Sequence, residues 1–130
     1  MGISVDGKEL LANLLTNNSS NYVTYFGWGA GSPAFNFADS ALGSELFPSG
    51  NGTQRNAVFS TSIMEAGQNI FTGRLEDDQL STGSIIEIGL FDSISGGTLF
   101  TRNVGTGYLL KSTGLRVIVE HSIEVGRRIT

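Results

Sequence analysis

Ser84-Ile-Ile-Glu-Ile-Gly-Leu-Phe-Asp92, followed by Ser93-Ile-Ser-Gly-Gly97 and Thr98-Leu-Phe100, is the stretch whose reading decides the fold. Ile86, Ile88 and Leu90 fall on one side at period two, with Glu87 and Gly89 on the other, which predicts a strand. Gly96 and Gly97 can take the positive φ that a tight reversal needs, so the pattern predicts a hairpin returning through Leu99 and Phe100. On this reading Glu87, like Glu120 and Glu124 further on, is directed to solvent.

Working outward, Leu115 to Val125 alternates most clearly. Leu115, Val117, Val119, His121, Ile123 and Val125 point one way, and Arg116, Glu120, Ser122 and Glu124 the other, as in a sheet with one face buried. Leu99 to Val104 leads into Gly105-Thr106-Gly107, read as a second turn. Asn56 to Leu75 reads as two strands about a turn at Glu65 to Gln68. Tyr22 to Gly27 is a strand by composition, with Trp28 in the glycine-rich turn that follows. Roughly six or seven strands with no crossover helices predict an all-β fold, an antiparallel β-sandwich or jelly-roll-like domain, and exclude a parallel α/β sheet.

Lys8 to Leu15 is the one run of helical character, with Leu10, Leu11, Leu14 and Leu15 on one face. Asp6 is the expected N-cap, with Glu9 completing a capping box. The chain therefore divides into an N-terminal helix or arm (1–21) and a β-sandwich domain (22–130). The leucines either close one end of the domain's own core or dock on a neighbouring subunit. Between Ser32 and Arg55 runs a long segment whose Phe35, Phe37, Leu42, Leu46 and Phe47 argue against disorder. It is expected to pack on the domain or on a neighbour.

Composition narrows the function. The 130-residue chain has a net charge of -4, which argues against tracking nucleic-acid phosphates. No run approaches the about 18 apolar residues of a membrane span, and no signal peptide is expected. Without cysteine there is neither a disulfide framework nor a thiolate metal site. Gly27-Trp-Gly-Ala-Gly31 has the wrong spacing for a dinucleotide fingerprint. Glu76-Asp-Asp78 lacks the alternating ligands of a calcium loop and reads as a solvated turn. The single histidine, His121, lies on an apolar strand face without a visible catalytic partner. The expectation is a non-enzymatic protein with no cofactor and no metal. Only 15% of residues are charged, and the two lysines do little to protect sheet edges, so the edges are expected to be covered by subunit contacts.

Five segments together carry a resemblance: Tyr25-Phe-Gly-Trp-Gly-Ala-Gly31, Asp39-Ser-Ala-Leu-Gly-Ser-Glu45, Glu87-Ile-Gly-Leu-Phe91, Gly96-Gly-Thr-Leu99 and Val117 to Val125. In this order they resemble a group of small β-sandwich virion proteins of tailed phages and related viruses. The resemblance spans residues 22–125 and implies a capsid decoration (cement) protein or a tail-fibre or baseplate component. It also implies a homotrimer whose partners are the major capsid protein or other virion proteins, made in the host cytoplasm and carried on the capsid surface. The candidate subunit or shell contacts are Leu10, Leu11, Leu14, Leu15, Trp28, Phe35, Phe37, Leu46 and Phe47. A carbohydrate-binding module, with Trp28, Tyr22 and Tyr25 as a stacking platform, is the alternative from another class.

Overall fold

The structure is a computed structural model that describes residues 2–15, 23–48, 54–65, 68–80, 84–111 and 114–124. Its elements are β1 (Gly2–Ile3), α1 (Val5–Leu15), β2 (Tyr25–Gly29), β3 (Glu45–Leu46), β4 (Asn56–Ala57), β5 (Ser60–Glu65), β6 (Gln68–Leu75), β7 (Ser84–Phe91), β8 (Leu99–Leu110) and β9 (Val117–Glu124). Two antiparallel sheets face each other in a β-sandwich. The larger has six strands, in the order β1-β8-β7-β2-β3 with β4 also pairing with β2, and the smaller has three, β5-β6-β9.

The β7–β8 hairpin forms as the sequence predicts, with Gly96 and Gly97 at φ 60° and 73°. Phe26 pairs with Leu90 and Trp28 with Ile88, so these four side chains share one face of the larger sheet. That face meets Leu75, Val117 and Ile123 of the smaller sheet to form the main core, which Leu10, Ile85 and Phe100 complete. Gly73 of β6 lies under the ring of Phe26, where a side chain would collide with the aromatic carbons. His121 enters the same layer from β9 and meets Thr101 Oγ1 of β8 at 3.1 Å, a polar link between the sheets. Burial holds its imidazole well below the usual range, at about 4.

The structure revises several expectations. Trp28 is in strand β2 rather than a turn and is fully buried. β8 continues as one strand through Gly105 to Gly107, where a turn was expected, and its pairing with β7 shifts register there. The helix starts at Val5, and its N-cap is Ser4, not Asp6. Ser4 Oγ accepts from Gly7 N–H at 2.9 Å and donates to Leu99 O at 2.7 Å. The cap thus joins the helix to β8, and Gly7 packs so closely on the Phe100 backbone that no Cβ would fit. Leu10 is buried in the main core, so the helix is anchored to this domain. The side chains of Leu11, Leu14 and Leu15 lie outside the described residues.

Candidate docking surface

The segment from Ala30 to Phe47, here called the strap, crosses the outer face of the larger sheet. Charge holds it there. Glu87, expected in solvent, is only 1% exposed. Its Oε1 accepts from Gly31 N–H at 3.0 Å and Ser44 N–H at 2.8 Å, and its Oε2 accepts from Gly43 N–H at 3.0 Å and Arg102 Nε at 2.7 Å. Arg102, from the neighbouring strand, sends its remaining donors to Pro33 O, Asp39 Oδ2 and Ala34 O. Burial alone would raise the Glu87 carboxyl, but the three backbone N–H groups and the guanidinium outweigh it and hold the group below its ordinary value.

Packing completes the attachment. Gly27 and Gly89 face each other across β2 and β7. Their missing side chains leave room for Leu42 of the strap, which packs with Phe91 and Leu99 in a second, smaller core. At the far end, Arg55 makes a two-point contact with Glu45 at 2.7 and 3.0 Å and donates to Ser93 O and Gly96 O. Its guanidinium lies 3.4 Å from the centre of the Phe91 ring. The two sequence motifs are therefore halves of one lock. Asp39, Leu42, Gly43, Ser44 and Glu45 of the strap meet Glu87, Gly89 and Phe91 of β7, with Arg102 and Arg55 between them.

The lock presents an apolar patch. Phe37 is 59% exposed and Val5, at the start of α1, 56%. Val5 N–H donates to Phe37 O at 2.9 Å, Phe35 packs edge-on against Phe37 at 5.4 Å, and Lys8 Nζ sits 5.0 Å over the Phe37 ring. Because Arg102 grips the strap at Pro33, Ala34 and Asp39, these rings project from a fixed base. A partner would not have to order the segment on binding.

Of the candidate contacts, Phe35 and Phe37 come together here. Leu46 and Phe47 lie half-buried further along the strap. Leu10 and Trp28 belong to the core and offer no surface, and with Trp28 goes the proposed glycan-stacking platform. Val5 and Lys8 escaped sequence reasoning because their closeness to Phe37 depends on where α1 docks. Glu120 is exposed as expected, and Glu124 is not described at side-chain level. Among the described residues no group of three or more His, Cys, Asp or Glu is placed to hold a metal ion, and no helix is long and apolar enough to cross a membrane. No protein-family model matches the chain, and no curated protein matches it.

Proposed function

We propose that this chain is a virion structural protein, a capsid decoration protein that docks on the outer shell through the patch around Phe37 and Val5. The observation that carries the proposal is an exposed Phe37, backed edge-on by half-buried Phe35, on a strap fixed by buried charge. Arg102, Glu87, Asp39, Arg55 and Glu45 are engaged in holding the strap, as a scaffold for presenting a surface requires. The motif resemblance to small phage virion proteins supplies the partner class. A tail-fibre or baseplate position uses the same surface on a different partner.

The test is binding of the purified protein to empty shells, with copy number per particle measured by quantitative mass spectrometry. Wild-type protein should bind, and Phe37→Ser should weaken binding at least tenfold while leaving the circular dichroism spectrum unchanged. A handful of copies per particle would move the protein to the tail or a vertex. Absence from particles, or equal binding by Phe37→Ser, would overturn the reading. Deleting residues 1–16 is a poor test, because Ser4 and Leu10 belong to the folded domain.

A further inference from the structure

The two sheets treat their edges differently. The larger ends in β1 and β3, each of two residues, too short to template pairing with another chain. The smaller ends in β5 and β9, of six and eight residues. β5 is bent by an irregularity between Ile63 and Glu65. β9 pairs with β6 in unbroken register from Val117 to Glu124, and among the described residues no strand pairs with its other side. Two of the exposed large apolar side chains, Leu115 (42%) and Ile118 (58%), lie at this regular edge.

We infer that β9 is a homodimer interface, pairing antiparallel with β9 of a second copy about a two-fold axis beside Ile118. The charge pattern selects both the occupant and the register. Arg116, Ile118 and Glu120 follow one another on the outward face, all exposed. In a two-fold antiparallel pair, residues opposite each other have numbers that sum to twice the central residue. Centring on Ile118 sets Arg116 opposite Glu120 of the second copy, twice over, around an Ile118 pair. Opposite charges directly across a sheet are favourable and like charges are not. Centring on Glu120 sets two glutamates face to face, and centring on Val119 sets Ile118 against Glu120. On the inner face the chosen register sets Val117 against Val119 and Leu115 against His121. Arg116 also reaches Glu76 Oε2 within its own chain, at 3.3 Å from Nε, and with its side chain 54% exposed the guanidinium stays open to the partner. The pairing covers Leu115 to His121, the two residues before β9 and its first five, and joins β5-β6-β9 to its symmetry copy. This contact differs from the trimer implied by the motif resemblance and does not depend on the proposed shell binding.

The test is sedimentation equilibrium at high micromolar concentration, with charge variants alone and mixed. Arg116→Glu and Glu120→Arg should each weaken self-association at least tenfold, because each homodimer then sets like charges opposite. An equimolar mixture of the two variants should restore the dimer, since the heterodimer has an opposite-charge pair at both ends. Misfolded variants would not complement each other. Because the chain has no cysteine of its own, Ile118→Cys should form an intermolecular disulfide on mild oxidation, with Cα atoms about 4.5–5.5 Å apart. Ser122→Cys, past the end of the paired stretch, should not. A wild-type protein that stays monomeric, a trimer unaffected by either charge variant, or crosslinking through position 122 as readily as through 118 would overturn the inference.

Discussion

Replacing Glu87 with glutamine keeps the side chain's shape and removes one charge, yet the structure makes this a severe change. All four groups around the carboxylate are donors: Gly31 and Ser44 N–H on one oxygen, Gly43 N–H and Arg102 Nε on the other. A glutamine can offer its oxygen to one pair only. Its NH2 then faces the other pair, donor against donor, in either orientation. Two of the four bonds are lost in either case: with the amide oxygen kept on Gly43 and Arg102, the NH2 faces the Gly31 and Ser44 N–H groups and the buried guanidinium loses a charged acceptor, for a net cost of about 2–3 kcal/mol after relaxation. Glu87→Ala goes further, leaving three strap N–H groups without an acceptor and buried Arg102 with Asp39 as its one remaining carboxylate, for about 3–5 kcal/mol. Set against a total stability of about 5–15 kcal/mol, either change is large. Urea unfolding followed by the fluorescence of the single, buried tryptophan, Trp28, measures it. At a slope of about 1–3 kcal/mol per molar urea, the alanine variant should lose about 2 M from its midpoint. A Glu87→Gln midpoint within about 0.3 M of wild type would refute the reasoning, because the amide would then be satisfied where the geometry allows no acceptor for it.

Gly73→Ala should destabilise by about 1–3 kcal/mol, since the added methyl meets Phe26 ring carbons within a filled core, and the same urea assay reads it. Arg55→Lys should cost about 1–2 kcal/mol, because an ammonium cannot reproduce the two-point contact with Glu45 or lie flat on Phe91, and Arg55→Met would separate the packing share from the charge. His121 is held at about 4 in the folded chain against about 6.5 when unfolded, so the unfolded state binds the extra proton between those values. Stability from this group is complete above pH 6.5 and falls by about 3 kcal/mol as pH drops to 4. His121→Gln should flatten unfolding free energy against pH across that window. Glu87, held below its ordinary value, acts in the same direction at lower pH, its stabilisation present above about 4.5 and lost as pH falls through its folded value.

The sheets were legible in the sequence where the pattern is local. The β7–β8 reversal follows from two adjacent glycines, and the inward face of β9 follows from strict alternation. What escaped was the second layer over the outer face of the larger sheet. Alternation assigns Glu87 to solvent because it assumes that one face of a strand is wet. Only the strap, distant in sequence, makes that face an interior. The same long-range packing hides the role of Gly27 and Gly89, which read as ordinary members of their strands and instead admit Leu42. Trp28 was misplaced because flanking glycines mimic a loop. The candidate surface was half legible: the aromatic strap stood out by composition, and the contribution of α1 depended on a cap at Ser4 that ties it to β8.

The lock between strap and sheet also has a temporal consequence. Arg102 and Glu87 come from neighbouring strands of a local hairpin, whereas their strap partners Gly31, Gly43 and Ser44 lie 43 to 56 residues from Glu87 along the chain. The carboxylate reaches its low-solvent site only after β2, β7 and β8 have formed a platform, so strap closure is expected after the folding barrier. Interactions formed that late leave the folding rate nearly unchanged and govern how slowly the chain comes apart. Glu87→Gln should therefore appear in stopped-flow kinetics as faster unfolding with an unaltered refolding limb. The strap acts as a clock on the lifetime of the folded chain, a lifetime set by the height of the unfolding barrier rather than by the equilibrium alone.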